Sequence, residues 1–219
     1  MKPIIYIPCA TNPHILYEAI ESLDEQVGTF RIINSTGKPL KVPTTKAVIY
    51  DSPVPLLYGQ ALNFAIQEVE RRKDPFCLWA HNDIVVKPGA IDALFKKYDE
   101  VKDRKWGQIL SNYDSLCLFN PRFFVDHNMW EEFMMFPFYF SDKHRARLMN
   151  LIGYEIHNCP EASELVYHKE SNSIRYDPAF RIRNEYMFEQ HGAIYRKIWG
   201  GGPGQEKNTD ATVRGLYKI

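Results

Sequence analysis

The sequence predicts an α/β fold in which a mostly parallel central sheet is flanked by helices. Short apolar runs alternate with amphipathic helical stretches through the first hundred residues, and this alternation is typical of parallel sheets covered by helices. The runs 4–8 and 76–80 are almost continuously apolar, as expected for strands that are buried on both faces. Turn-forming or polar residues follow these runs and mark the ends of the strands.

Each predicted element has its own local signal. Asn12 and Pro13 suit a helix N-cap and the first position of a helix, and the helices that follow carry apolar residues at helical spacing. The predicted elements in chain order are a strand at 4–8, a helix opened by Pro13 with apolar residues as far as Leu23, strands at 30–34 and 47–50, a helix at 57–72, a strand at 76–80, a helix opened by Pro88, a polar helix at about 142–152, and strands at 155–158 and 165–168.

Composition excludes several classes of protein. The chain carries 27 basic and 27 acidic side chains, so no strong net field is expected to attract it to nucleic acid or to an anionic membrane. Its four cysteines are dispersed without a C-x-x-C pair, which fits a reducing cytosol. The apolar stretch at 133–140 is too short to cross a bilayer, and the N-terminus lacks a signal-peptide pattern. We therefore expect a cytoplasmic protein with no transmembrane segment.

Polar residues cluster where three predicted strands end, at 8–12, 34–37 and 81–83. The carboxyl ends of parallel strands form one rim of such a sheet, and ligands bind at this rim. Within the third cluster, His81-Asn82-Asp83, the carboxylate of Asp83 suits a divalent cation, because hard ions such as Mg²⁺ and Mn²⁺ prefer oxygen ligands. The plainer alternative for Asp83 is a cap or turn residue at the end of a strand.

Four segments carry a family resemblance: GQALNFAI (59–66), FCLWAHNDIVVKPGAIDAL (76–94), FYFSDKHRARLMNLIGYEI (138–156) and LVYHKESNS (165–173). In their order and spacing they resemble glycosyltransferase family 2, the inverting nucleotide-sugar enzymes of GT-A fold. The second is similar to the family's strand and D-x-D-type metal motif, the third to its acidic catalytic position, and the fourth to its last strand with a histidine. Two departures are clear: 81–83 holds one carboxylate where many members have two, and Ser141 precedes Asp142 where an acidic pair is common.

The resemblance implies a metal-dependent, inverting transfer of a sugar from a nucleoside-diphosphate sugar, with UDP as the expected nucleotide, to an acceptor hydroxyl. It places a divalent metal ion, Mn²⁺ or Mg²⁺, on Asp83 and His168, and it makes Asp142 the general base. The plainer alternative for Ser141-Asp142 is a helix N-cap. The residues expected to bind the nucleotide or the rest of the donor are Pro8, Ala10, Thr11, Asn12, Ser35, Gln60, Asn63, His81, Asn82, Arg145, Lys197 and Trp199.

We expect a single GT-A domain over 1–219. About 1–100 should form the nucleotide-binding half, and about 101–219 the acceptor and catalytic half with a glycine-rich C-terminal loop. This loop, 197–208, is either a lid over the diphosphate or a flexible end. Trp130 could line the sugar or acceptor site, while Tyr6 or Tyr58 could stack on the base or lie in the core.

The acceptor class stays open: a glycan, a lipid-linked sugar, a small molecule or a modified nucleic-acid base. A nucleotidyltransferase that makes the sugar nucleotide is disfavoured, because its glycine-rich phosphate loop should follow the first strand, and the first glycine in this chain is Gly28. The remaining alternative is a non-catalytic module that binds a nucleotide sugar on the same fold, which the reduced acidic motif favours.

Overall fold

The structure is a computed structural model that describes residues 2–11, 13–128, 140–169 and 178–208. Its elements in chain order are β1 (Ile4–Cys9), α1 (Pro13–Leu23), β2 (Thr29–Asn34), β3 (Ala47–Asp51), α2 (Tyr58–Arg72), β4 (Cys77–Ala80), β5 (Ile84–Val86), α3 (Ala90–Val101), β6 (Trp106–Ser111), β7 (Leu116–Phe119), α4 (Pro121–Asp126), α5 (Ser141–Leu151), β8 (Glu155–Asn158), α6 (Pro160–Ser163), β9 (Val166–His168) and α7 (Pro178–Trp199).

Seven of the strands form the central sheet, in the order β3-β2-β1-β4-β7-β6-β8. The neighbours β3, β2, β1 and β4 run parallel, as do β6 and β8, whereas β7 runs antiparallel to both of its neighbours. Helices pack against both faces of this sheet. The predicted α/β class, with a mostly parallel central sheet flanked by helices, is confirmed.

Both faces of the sheet are buried, which explains the continuous apolar runs in the sequence. In β1, Ile5 and Ile7 enter the hydrophobic cluster under α1 and α3, while Tyr6 enters a second cluster on the opposite face. In β4, Leu78 belongs to the first cluster and Trp79 to the second. The second cluster packs under α2, α4, α5 and the end of α7. Because successive side chains of a strand point to opposite faces, residues of both parities must be apolar here.

The apolar run on either side of His81-Asn82-Asp83 belongs to two different sheets. β4 ends at Ala80 inside the central sheet, and the chain then turns at 82–83. β5 leaves the central sheet and pairs antiparallel with β9 in a separate two-stranded sheet. The three polar residues therefore lie where the chain passes from one sheet to the other, at the carboxyl-end rim of β4.

The glycine-rich segment after α7 folds back on the end of that helix. The backbone N–H of Lys207 and that of Asn208 both donate to the carbonyl oxygen of Trp199. Gly200 adopts a φ of +72°, in the left-handed region that favours glycine, and a Cβ at Gly201 would collide with the carbonyl oxygen of Gln205. The glycines thus serve a compact local turn, and closure of this segment over a donor stays a prediction.

Candidate metal and active site

Three side chains that can bind a metal ion converge beside the turn after β4. One ligand atom from each of His81, Asp83 and His168 lies within 4.8 Å of the others. His168 Nε2 is 3.0 Å from Asp83 Oδ1, and the ring centroids of the two histidines are 5.2 Å apart. The structure therefore brings the two residues predicted as metal ligands together, and it adds His81, which the sequence placed among the donor contacts.

Backbone pairing determines where His168 lies. In the β5–β9 pair, His168 stands opposite Ile84, the residue that follows Asp83. The N–H of Lys169 also donates to the carbonyl oxygen of Asp83 at 2.8 Å. His168, 85 positions after Asp83 in the sequence, is thus held beside the turn that contains Asp83.

We call His81, Asp83 and His168 the metal cluster. Its electrostatics suit a divalent cation. Asp83 is only 5% exposed. Burial by itself raises the pKa of its carboxyl, but the hydrogen bond with His168 and the charges of both histidines bring that pKa below its ordinary value. An ionised carboxylate and two imidazoles are a donor set that fits a divalent transition-metal ion.

A second acidic residue, Asp114, lies at the same rim, and the sequence patterns did not single it out. It occupies the turn 112–115 between β6 and β7, with its Oδ1 3.7 Å from His81 Nε2. Its Oδ2 accepts a hydrogen bond from the Tyr58 hydroxyl at 3.0 Å and lies 3.6 Å from Arg145 Nη2. Burial raises the pKa of the Asp114 carboxyl, but the charges of His81 and Arg145 and the hydrogen bond from Tyr58 outweigh it and lower that pKa.

Arg145, predicted to contact the donor, lies beneath the rim. Its side chain is 0% exposed, its guanidinium carbon is 4.8 Å from the centroid of the Phe119 ring, and it pairs with Asp114. Because the Arg145 side chain is fully buried, a direct contact with a phosphate would require it to move away from Asp114 and the Phe119 ring. In this structure the Arg145 charge stabilises the ionised Asp114 carboxylate at the rim.

Asp142, the predicted general base, lies in the first turn of α5. The helix begins at Ser141, and the N-cap position is Phe140, so neither Ser141 nor Asp142 is the N-cap that the plainer interpretation proposed. The Asp142 side chain is 41% exposed, and its Oδ2 is 3.3 Å from Lys143 Nζ. The positive end of the helix dipole stabilises a carboxylate here. Asp142 and Arg145 are three positions apart and so lie on neighbouring parts of one helix surface.

Several predicted nucleotide contacts lie near the ends of β1, β2 and β3. Pro8 is in β1, Ala10 and Thr11 follow that strand, and the Ser35 hydroxyl donates to the carbonyl oxygen of Cys9 at 3.3 Å. The Gln60 side-chain oxygen accepts the N–H of Leu57 at 2.9 Å and so fixes the start of α2. Gln60 also lines a cavity of about 360 Å³, whose other lining residues include Asn63, Tyr50, Asp51 and Phe64.

Other predicted contacts are placed differently. Trp199 is almost completely buried and donates its indole N–H to His144 Nδ1 at 2.9 Å, so its ring is a core element and is not open to a donor. Lys197 is exposed in the last turn of α7, and Asn82 is partly buried between its two cluster neighbours. Tyr6 is buried in the core, as its alternative interpretation had it. The predicted contacts Asn12 and Trp130 lie outside the described residues.

Acid is expected to destabilise the fold through His144, which is fully buried beside Arg145. Burial and that neighbouring charge lower the pKa of His144 to about 3. In the unfolded chain the pKa returns to about 6.5. At pH 5 the unfolded state therefore binds a proton that the folded state does not, so stability is complete above about pH 6.5 and falls as the pH drops towards 3. We expect the free energy of unfolding to decrease by about 2 kcal/mol from pH 7 to pH 5 through this residue.

Urea denaturation at pH 7 and pH 5 measures this effect, with His144→Gln as the comparison. The glutamine keeps a hydrogen-bond acceptor for the Trp199 indole but has no group that titrates in this range. We expect the variant to lose markedly less stability than the parent chain between the two pH values. An identical loss in both proteins would show that His144 does not carry the effect.

Among known proteins, the chain is similar to several solved structures. None of the helices in the described ranges is both long and apolar enough to cross a membrane. No protein-family model matches the chain, and no curated protein matches it at a significant level. The crystal structure of Francisella tularensis 2-C-methyl-D-erythritol 4-phosphate cytidylyltransferase aligns with a TM-score of 0.48 at 9% identity, covering 86% of this chain and 100% of that one. A crystal structure of a glycosyltransferase involved in the glycosylation of the major capsid of PBCV-1 aligns with a TM-score of 0.45 at 13% identity, covering 85% and 99%. Because both TM-scores are below 0.5, neither alignment indicates the function of this chain.

Proposed function

We propose that the protein is a metal-dependent, inverting glycosyltransferase that moves a sugar from a nucleoside-diphosphate sugar to an acceptor hydroxyl. A UDP-sugar is the donor proposed first. The observation that carries this proposal is the metal cluster at the carboxyl-end rim of a mostly parallel sheet. Ligands of open α/β sheets bind at this rim. The sequence segments that resemble family 2 assign Asp83 and His168 to the metal ion independently of their proximity in space.

The donor set favours Mn²⁺ over Mg²⁺. Mg²⁺ prefers an all-oxygen octahedron, whereas Mn²⁺ accepts imidazole nitrogen together with carboxylate oxygen. His81, Asp83 and His168 would hold the ion, and the phosphates and water would fill the other positions. When bound, the ion supplies positive charge that stabilises the departing diphosphate.

Asp142 would take the proton of the acceptor hydroxyl. As that proton moves to the carboxylate, the acceptor oxygen forms a bond to the anomeric carbon of the sugar, and the bond from this carbon to the diphosphate oxygen breaks with its electron pair on the diphosphate. The partly exposed Asp142 side chain can meet an acceptor from solvent, whereas Asp83 is buried and paired with His168. The two carboxylates thus suit two different roles.

The nucleoside is proposed to lie across the ends of β1, β2 and β3. Ser35 joins the ends of the first two strands, and Gln60 and Asn63 line the cavity between β3 and α2. A cavity of about 360 Å³ falls within the usual size range of small-molecule sites. Phe64 and Tyr50 give this cavity aromatic walls, and Asp51 gives it a carboxylate.

A thermal-shift screen tests this function. The protein is heated with UDP, GDP, CDP or ADP, each with Mn²⁺, with Mg²⁺ or without metal. We expect one nucleoside diphosphate, with UDP as the first candidate, to raise the melting temperature strongly with Mn²⁺ and weakly without it. A ligand at one hundred times its Kd stabilises the folded state by about 2.7 kcal/mol. A screen in which no diphosphate shifts the melting temperature under any metal condition would contradict the proposal.

A hydrolysis assay then separates an enzyme from a binding module. The sugar nucleotide that matches the best diphosphate is incubated with the protein and Mn²⁺ without an acceptor, and release of free sugar is followed. Slow hydrolysis indicates a transferase that uses water in place of its acceptor. Tight binding without any turnover would instead favour the non-catalytic module.

A further inference from the structure

We propose that Asp114 is a positioning residue that holds His81 in the metal cluster and ties this cluster to helix α5; this inference rests on the proposed function. Asp114 is not itself a member of the metal cluster. It also lies outside all four segments that resemble family 2. The contacts of Asp114 indicate its role.

The turn 112–115 fixes both the main chain and the ring of His81. The backbone N–H of His81 donates to the carbonyl oxygen of Ser115 at 2.8 Å. The carboxylate of the preceding residue, Asp114, faces the ring of His81, with 3.7 Å between Oδ1 and Nε2. The Tyr58 ring packs edge-on against the same imidazole, with 5.5 Å between centroids. These contacts leave His81 little freedom to rotate away from the cluster.

Asp114 is held from two further directions. Tyr58, which touches the His81 ring, also donates its hydroxyl hydrogen bond to Asp114. Arg145 approaches from α5 and is immobilised by complete burial and by the Phe119 ring. A carboxylate that orients a histidine ligand from outside the metal site commonly contributes 10–100-fold to metal affinity. Asp114 is placed for such a support, at an ion-pair distance of 3.7 Å from the His81 ring.

The same contacts connect the two functional parts of the site. Arg145 lies three residues after Asp142 on α5, and its partner Asp114 faces His81. The Arg145–Asp114 ion pair therefore links the helix that carries the proposed base to the turn that faces the proposed metal site. Loss of the Asp114 charge should loosen the metal cluster first, because His81 is in direct contact with it.

The test compares Mn²⁺ binding by the parent chain, Asp114→Asn and Asp126→Asn. Asp126 is a matched control, since it loses the same charge but lies exposed on α4 next to Arg122. Free Mn²⁺ is titrated by electron paramagnetic resonance, and spin-echo modulation from ¹⁴N counts the coordinated imidazoles. We expect Asp114→Asn to bind Mn²⁺ about 10–100-fold more weakly than the parent chain and the control. The modulation should fall from two imidazoles to one.

The outcomes separate this inference from the proposed function. Equal Mn²⁺ affinity and an unchanged two-imidazole signal in Asp114→Asn would overturn the role of Asp114 and leave the proposed function standing. A parent chain that binds no Mn²⁺ would overturn both. If Asp114→Asn does not fold, Tyr58→Phe is titrated in its place, because it keeps the ring against His81 and removes only the hydroxyl that holds Asp114. We expect a several-fold loss of affinity there, and an unchanged affinity would overturn the inference.

Discussion

Asp83→Asn is expected to abolish metal-dependent nucleotide binding while the protein stays folded. Asparagine has the shape of aspartate, and its side-chain oxygen can still accept a hydrogen bond from His168, so packing at this buried position should survive. The variant loses the only anionic ligand of the metal cluster. Because removal of a mere supporting residue already costs 10–100-fold in metal affinity, we expect the loss of this ligand to weaken Mn²⁺ binding by roughly 100-fold or more.

Two measurements on Asp83→Asn check this expectation. Calorimetric titration with Mn²⁺ gives the loss of metal affinity, and the melting temperature with UDP gives the loss of metal-dependent stabilisation. Asp99→Asn is the control, since Asp99 is exposed on α3 and pairs only with Lys102 among the described contacts of its side chain. A variant at position 83 that keeps the Mn²⁺ affinity of the parent chain would remove the metal site on which the proposed function depends.

The parallel part of the fold could be predicted because its strands are buried on both faces. Such strands produce apolar runs with abrupt ends, and the predicted strands at 4–8, 30–34 and 47–50 match β1, β2 and β3 to within one residue at each end. The strand at 155–158 coincides with β8. In these regions the local pattern and the tertiary environment agree.

The antiparallel hairpin of β6 and β7 has no comparable signal. Tight hairpins are usually announced by Asn-Gly or Asp-Gly at their turns, because glycine adopts positive φ at low cost. Here Asn112 and Tyr113 adopt φ values of +40° and +61° without any glycine in the turn 112–115. The turn was therefore not recognised, and Asp114 within it was missed as a site residue.

The metal cluster shows what sequence patterns can supply and what they cannot. Residues at the end of β4 were predicted to lie on the ligand-binding rim, because the chain becomes polar where a buried strand ends. The inclusion of His81 depends on the pairing of β5 with β9, which brings His168 back to that rim. Such pairing is a long-range event between two short strands, and no local pattern specifies it.

Helix α7 was also not predicted, for a different reason. Its residues Ile182, Tyr186 and Phe188 are exposed, while the buried Tyr195 and Trp199 lie near its end. Apolar side chains are thus distributed over both exposed and buried positions, and no single apolar stripe identifies the helix. The sequence pattern singled out the glycines after Trp199. The helix before them instead supplies Tyr195 and Trp199 to the hydrophobic core.

Asp142→Asn is expected to lower the rate of sugar transfer by about 10²–10⁴-fold, the usual contribution of a general base. The change keeps the size of the side chain and removes its ability to accept a proton. Nucleotide affinity should stay within a few-fold, because Asp142 is not a member of the metal cluster. Stability should change little, since the side chain is partly exposed at a helix start where the N-cap is another residue. The measurement is kcat for transfer alongside the Kd for UDP with Mn²⁺.

The combination of these two numbers identifies the role of Asp142. A residue that only stabilises the start of α5 would lower the melting temperature and affect binding and turnover together, whereas a base lowers kcat alone. Lys143→Gln is an informative companion, because Lys143 is the ion-pair partner of Asp142 at 3.3 Å and has no proton to take from an acceptor. We expect it to keep most of the parent activity. Unchanged turnover in Asp142→Asn would exclude Asp142 from the chemistry and move the search for the base to another side chain facing the rim.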